Sequence, residues 1–141
     1  MYLDSAYIAK FYVNEADSTA VRALIAGAST LVCSELALAE VPCVFHRHFR
    51  EGSVSFDQCR ELCSLFERHA AEGFWILFPI RRPLLQRAAE RIADLPQDVF
   101  LRAGDVVHLA SAALHGEPEI WTNDRRMLAA APHFGIRGRS L

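Results

Sequence analysis

The stretch LRAGDVVHLASA, residues 101–112, predicts an α-helix that carries a carboxylate in its first turn. Asp105 directly follows Gly104, and apolar residues recur behind it at helical spacing, among them Val106, Leu109 and Ala110. The positive end of the helix dipole favours the ionised form of a carboxylate at this position. An Asp so placed is most often only a helix cap, so its function depends on which other acids lie near it.

Short β-rich segments alternate with amphipathic segments on both sides of this helix. Strands are predicted at residues 1–3, 29–33, 75–78 and 119–122, with a short fifth strand at 135–137. Helices are predicted at residues 5–13, 20–25, 35–51, 56–71, 83–93, 105–115 and 124–131. This alternation predicts an α/β fold, a three-layer α/β/α arrangement with a central parallel sheet of four to five strands.

Three further acids lie where such a sheet would bring them towards Asp105. Asp4 follows the first strand, Asp124 follows the fourth, and Glu40 lies on or beside the apolar stripe of the helix after the second strand. Ligand sites of parallel sheets lie beyond the carboxyl ends of the strands, so we expect the four acids to converge. Taken singly, Asp4 and Asp124 are equally well interpreted as helix caps, and Glu40 as a half-exposed partner of Arg47 or another arginine.

Four carboxylates in one cleft repel one another. A pair about 4 Å apart costs about 4 kcal/mol at an effective dielectric near 20. The group therefore takes up protons or holds a cation, and a set of hard oxygen ligands without His or Cys favours Mg²⁺ or Mn²⁺. Ser5 and Thr122, each close to an acid in the sequence, are candidates to bind a metal water or a phosphate oxygen.

Composition limits the ways in which the chain can bind a partner. The 141 residues are enough for one domain, 1–141, and 52% of them are hydrophobic, which predicts some apolar surface left for a partner. The net charge of −2 excludes nucleic-acid binding through bulk charge alone. In the run FHRHFR (45–50), Arg47 and Arg50 are candidate RNA backbone contacts, although a solvated helix face is the simpler interpretation.

Several other residues have simpler explanations than catalysis. The four cysteines form no CxxC pair and are interpreted as reduced thiols of a cytoplasmic protein, and no targeting or membrane-spanning segment is recognised. His108, one turn after Asp105, is expected to be a packing or hydrogen-bonding residue. Pro42 is expected to kink its helix beside Glu40.

Four segments, in order along nearly the whole chain, resemble the PIN-domain nucleases and most closely the VapC toxins of bacterial toxin–antitoxin pairs. They are YLDSAYIAKFY (2–12), ELALAEV (35–41), LRAGDVVHLASAAL (101–114) and IWTNDRRMLAAA (120–131). The resemblance implies a PIN-like fold, Mg²⁺- or Mn²⁺-dependent cleavage of RNA, and an antitoxin protein as partner. A homodimer is also expected.

The resemblance also implies roles for individual residues. The acids of the family fall on Asp4, Glu40, Asp105 and Asp124, and its small polar residues fall on Ser5 and Thr122. Pro42 departs from the regular helix expected there. The alternative is a PIN-like RNA-binding or scaffold module without catalysis. A phosphoryl-transfer hydrolase of the haloacid dehalogenase kind is disfavoured, because it needs a second Asp where this chain has Ala6.

Overall fold

A computed structural model describes residues 1–141 and contains a five-stranded, wholly parallel sheet covered by helices on both faces. The prediction of a three-layer α/β/α fold is confirmed. The strands are β1 (Tyr2–Leu3), β2 (Val32–Ser34), β3 (Ile76–Phe78), β4 (Glu119–Trp121) and β5 (Arg137–Arg139). The helices are α1 (Ser5–Tyr12), α2 (Ser18–Ala26), α3 (Ala37–Arg50), α4 (Phe56–Ala71), α5 (Arg82–Ala93), α6 (Ala103–Leu114) and α7 (Arg125–Ala130), and a 3₁₀ turn follows at Ala131–Phe134.

The strand order β3-β2-β1-β4-β5 places β1 at the centre of the sheet. The chain builds outwards from β1 through β2 to β3, then crosses back to β4 on the other side of β1 and ends with β5. Tyr2 pairs with Val32 of β2 on one side and with Ile120 of β4 on the other. The strand order therefore reverses between β1 and β4, and ligand crevices of open parallel sheets form at the carboxyl ends of such a pair.

Two hydrophobic cores lie on the two faces of the sheet. Successive strand residues point to opposite faces, so Leu3 packs with α1–α4 while its neighbour Tyr2 packs with α5–α7. Trp75 and Phe45 are fully buried in the first core, and Leu109 of α6 is fully buried in the second. No helix of the chain combines the length and apolarity that a membrane span requires.

Helix α3 differs from its sequence expectation at its start. The helix predicted from residue 35 begins two residues later, at Ala37. The Ser34 hydroxyl accepts a hydrogen bond from the Leu36 N–H at 3.2 Å and stabilises the turn before the helix. Pro42 lies inside α3, which continues to Arg50. The proline removes the N–H that would bond to the Leu38 carbonyl, and Leu38 is exposed, so water can satisfy that oxygen.

Candidate active site

A cavity of about 310 Å³ opens at the carboxyl ends of β1 and β4. All four predicted acids line it, although they come from the start of α1, the first turns of α3 and α6, and the start of α7. The complete lining is Asp4, Ser5, Ala6, Glu40, Cys43, Val44, Asp105, His108, Asn123, Asp124 and Met127. The strand order thus brings together carboxylates that are up to 120 residues apart in the sequence.

Asp4 is the most buried of the four acids, with 6% of its surface exposed. One carboxylate oxygen caps α1 by accepting the Tyr7 N–H at 2.8 Å, and the other accepts the hydroxyl of Thr122. Burial raises the pKa of Asp4, and the nearby charge of Glu40 acts in the same direction, whereas these hydrogen bonds act to lower it. The net direction is upward, so the cavity disfavours the charge on Asp4.

Thr122 connects Asp4 to Asp124. Its buried hydroxyl donates to Asp4 and accepts the backbone N–H of Asp124 at 3.0 Å. Asp124 in turn caps α7, where its Oδ1 accepts the N–H groups of Arg126 at 2.7 Å and Met127 at 3.4 Å. Asp4 and Asp124 each cap a helix and also line the cavity, so the capping role does not remove either carboxylate from the candidate site.

Asp105 lies in the first turn of α6, as the sequence predicts. Its Oδ2 accepts the backbone N–H of Arg102 at 2.9 Å, which secures the start of the helix. Gly104 allows α6 to lie close to α3, because a Cβ at this position would come within 2.8 Å of Glu40 Oε1. The absence of a side chain at residue 104 therefore makes room for the Glu40 carboxylate beside the start of α6.

Glu40 is half-buried and pairs with a histidine rather than with an arginine. His108 Nε2 donates to Glu40 Oε2 at 2.9 Å, and Nδ1 lies 3.1 Å from the Tyr2 hydroxyl. Burial acts to lower the pKa of His108, but Cys33 and Glu40 outweigh it and raise that pKa to about 10. Burial likewise acts to raise the pKa of Glu40, but the hydrogen bond and charge of His108, with Ser5, lower it overall. The directions of both shifts favour a charged His108 beside a charged Glu40.

The remaining predicted site residues lie in two different places. Ser5 is buried in the cavity, with its hydroxyl 3.2 Å from His108 Nε2. Arg47 and Arg50 lie outside the cavity, about two and three turns further along α3 than Glu40. The Arg47 guanidinium pairs with Glu15 at 3.2 Å and is half exposed.

Sequence reasoning did not foresee the central position of His108 in the site. Its contacts with Glu40, Tyr2 and Cys33 span 68, 106 and 75 residues of sequence. Helical spacing after Asp105 predicted a buried residue, and that remains correct. Spacing carries no information on which distant side chains a buried imidazole will contact, so the Glu40 pairing had no signal in the sequence.

The donor set suits a hard divalent cation. Four carboxylates line the cavity, and Asp105 and Asp124 each commit a single oxygen to a helix start, which leaves the other oxygen for a ligand. No three acid, histidine or cysteine side chains lie close enough together to enclose an ion as they stand. The residues therefore fit an Mg²⁺ or Mn²⁺ site by chemistry and require side-chain adjustment to close around the ion.

A family model described as PIN domain matches residues 1–132, which include β1 to β4 and all four acids. No match to the chain was found among curated proteins.

Proposed function

The chain belongs to the PIN domain family, whose members are typically nucleases, and from this membership we propose that it is a divalent-metal-dependent endoribonuclease. The observation that supports the proposal best is the convergence of Asp4, Glu40, Asp105 and Asp124 on one cavity at the reversal point of the sheet. Hydrolysis of a phosphodiester is the reaction that this arrangement suits, because clustered carboxylates bind the cations that phosphoryl chemistry needs.

The residues of the proposed site have three roles: metal binding, orientation of a water, and positioning of other side chains. Asp4, Asp105 and Asp124 are fixed at helix starts and are the proposed metal ligands together with Glu40. When bound, Mg²⁺ or Mn²⁺ polarises the phosphodiester and lowers the pKa of a bound water. Glu40, oriented by the His108 imidazolium, is the carboxylate best placed to orient an attacking water. Ser5 and Thr122 act through the groups that they hold, His108 and Asp4.

RNA would approach the cavity across basic side chains. Arg125 follows Asp124 directly, and Arg102 lies three residues before Asp105; both are exposed. Arg47 and Arg50 are about two and three helical turns from Glu40, so their proposed contact with RNA involves nucleotides away from the cleaved bond. Local arginines of this kind compensate for a net charge that does not itself attract nucleic acid.

We further propose that the enzyme is the toxin of a type II toxin–antitoxin pair, with an antitoxin protein as partner and a homodimer as its assembly. The resemblance of four sequence segments to VapC toxins supports this role. Induced expression of the full chain should arrest bacterial growth, and Asp4→Ala should abolish the arrest at equal protein level. Growth that is unaffected by the wild-type chain would contradict the toxin role and leave the nuclease proposal to be tested in vitro.

A non-catalytic RNA-binding or scaffold module is the second candidate. It is favoured by one observation, that the carboxylates are not close enough to enclose an ion without moving. The two candidates differ in metal binding, because a scaffold has no need of a cation between its acids.

Calorimetry with Mg²⁺ and Mn²⁺, followed by RNA cleavage in the same buffer, separates the two candidates. The nuclease should bind the ion and cleave RNA, and Asp4→Asn should lose both properties, although its single amide oxygen can still accept one of the two hydrogen bonds that the carboxylate accepts. Asp98→Asn is the matched control, since Asp98 is an exposed acid outside the cavity. Binding heat or cleavage that survives in Asp4→Asn would overturn the assignment of the site, and absence of both in the wild type would favour the scaffold.

A further inference from the structure

Phe100 is the most exposed large hydrophobic residue of the chain, with 64% of its surface open to solvent. It lies in the segment between α5 and α6, two residues before Arg102, whose backbone N–H bonds to Asp105 Oδ2. The backbone that carries the ring is therefore attached to the start of α6, where one of the cavity acids lies. A single exposed aromatic residue needs no explanation by itself, so the side chains around the ring decide whether it can bind a ligand.

The side chain of Phe100 is also connected to the start of α7. The Arg126 guanidinium carbon lies 5.5 Å from the centre of the ring. Arg126 Nε in turn lies 3.7 Å from Asp124 Oδ1, and the Arg126 backbone N–H donates to the same oxygen at 2.7 Å. The guanidinium is thus positioned between the ring and a cavity carboxylate, and Phe100 is one side chain away from Asp124.

This arrangement has the components of a nucleobase contact. Aromatic rings and planar guanidinium groups are the side chains on which proteins stack unpaired bases, and any base has a face to stack. Arg126 also brings a positive charge beside the acids, where the phosphate next to such a base would lie. A purely apolar contact has no need of the arginine.

We propose that Phe100 and Arg126 form a stacking platform for the base of a nucleotide adjacent to the cleaved phosphodiester. This inference rests on the proposed function and assigns Phe100 as an RNA-binding residue of the same site. The platform positions the RNA, so that the bond to be cleaved lies over the acids. It accepts only a base that is free of its own stacking partners.

The test uses the full-length chain, single-stranded RNA oligonucleotides that the wild type cleaves, and Ca²⁺ in place of Mg²⁺ to measure binding by fluorescence anisotropy. Phe100→Ala should weaken binding about tenfold, the size of one base–aromatic stack. Phe100→Leu should show the same loss, because it keeps an apolar side chain without a ring. Phe100→Trp should bind within about threefold of the wild type, and RNA should quench the added indole.

Phe56 provides the matched control. It is 57% exposed, and the Arg60 guanidinium lies 5.8 Å from its ring, but the pair lies on α4 away from the acids. Phe56→Ala should leave RNA affinity unchanged. RNAs that each lack one base should be compared on the wild type and on Phe100→Ala. At one position the loss of affinity from the missing base and the loss from Phe100→Ala should not add up, since both changes remove the same stack.

Each outcome bears on a specific claim. If the wild type cleaves RNA but Phe100→Ala binds it equally well, the platform is wrong and the nuclease proposal stands. Full affinity in Phe100→Leu also overturns the platform, because an apolar contact then suffices. A change of molecular mass in Phe100→Ala that Phe100→Leu restores assigns the ring to a protein interface instead. If the wild type neither binds nor cleaves RNA, both the proposed function and the stacking platform are wrong.

Discussion

At the residue scale, the acids of the cavity are held by ordinary helix-capping hydrogen bonds. Asp4, Asp105 and Asp124 each accept a backbone N–H at a helix start. These contacts hold the carboxylates at the edge of the sheet but do not remove the repulsion between them. The same residues stabilise their own helices, and the charge of Glu40 still acts to raise the pKa of Asp4 across the cavity.

Asp105→Asn should separate these two effects. The amide oxygen still accepts the Arg102 N–H, while one negative charge leaves the cavity. We expect RNA cleavage to be abolished and the metal-free protein to be stabilised by roughly 1 kcal/mol, or about 4 °C in melting temperature. Thermal melts in EDTA measure the second effect. A lower melting temperature would show that Asp105 is primarily structural.

Asp17 allows a prediction that is independent of the cavity acids. Its carboxylate accepts a hydrogen bond from Lys10 Nζ at 2.6 Å and another from Asn123 Nδ2 at 2.6 Å. The Lys10 bond, with the Asn123 bond and the charge of Lys10, outweighs burial and lowers the pKa of Asp17. An acid with a lowered pKa in the folded state contributes stability that is present above its unfolded pKa and is lost as pH falls through the folded value.

Asp17→Asn should therefore lower the melting temperature at neutral pH, and the deficit should shrink as the pH falls below about 4, where the carboxyl of the unfolded chain begins to take up its proton. Thermal melts from about pH 7 to about pH 3 give the measurement. Asp98→Asn, at an exposed position, should show no such deficit. A deficit in Asp17→Asn that is constant with pH would mean that the carboxylate charge does not contribute.

At the element scale, the order and type of the secondary structure could be predicted from hydrophobic period and capping residues. Helix α4 has the predicted bounds, and Ser55 caps it by accepting the Gln58 N–H at 3.1 Å. Boundaries set by local turns were less accurate: α3 begins two residues later than expected, because Ser34 stabilises a turn instead of the helix. The strand order could not be predicted, since it depends on crossovers between elements far apart in sequence.

In the candidate site too, the features that depend on local sequence could be predicted, and those that depend on long-range packing could not. The positions of Asp4 and Asp124 after strands predicted that they would lie at one edge of the sheet, and the structure places them there. The pairing of Glu40 with His108 was not predicted, because it depends on how close α3 and α6 lie. Gly104 permits that close approach, and its importance is apparent only when the Glu40 carboxylate is seen beside it.

Helix α7 and strand β5 lie so close together that Gly138 has no room for a side chain. A Cβ at residue 138 would come within 2.9 Å of the Leu128 Cα and 3.1 Å of its carbonyl oxygen, and backbone atoms cannot move aside cheaply. Gly138→Ala should destabilise the fold by about 1–3 kcal/mol, measured by urea unfolding. The effect should act through the packing of α7, which begins at Asp124.

Gly27→Ala is the matched control for this prediction. Gly27 has a φ of −87°, which suits alanine, and its added Cβ would meet only ordinary contacts at 3.6 Å or more. The change should be neutral or stabilise by up to about 1 kcal/mol, because alanine reduces the freedom of the unfolded chain. Equal effects of the two substitutions would show that β5 and α7 separate readily.

At the scale of the whole molecule, one surface is apolar enough to need a partner. The apolar α5–α6 face surrounds a cavity of about 400 Å³ lined only by apolar side chains: Leu85, Ala88, Ala89, Ile92, Leu101, Ala103, Val106 and Val107. Leu85 and Ile92, two turns apart on α5, are 48% and 42% exposed and flank the smaller alanines between them. A two-fold interface brings the same face of two copies together, so the exposed Leu85 and Ile92 of one copy could pack over the alanines of the other.

The proposed homodimer should therefore form through the apolar α5–α6 face. Light scattering at about 100 µM should report twice the chain mass for the wild type if two copies associate through this face. Ile92→Asp places a charge that the partner copy cannot pair, so it should yield a monomer with an unchanged melting temperature in the dilute state. Phe56→Asp, at an exposed aromatic on α4, should remain a dimer. A monomeric wild type, or a dimer that tolerates Ile92→Asp, would show that this face serves another partner or none.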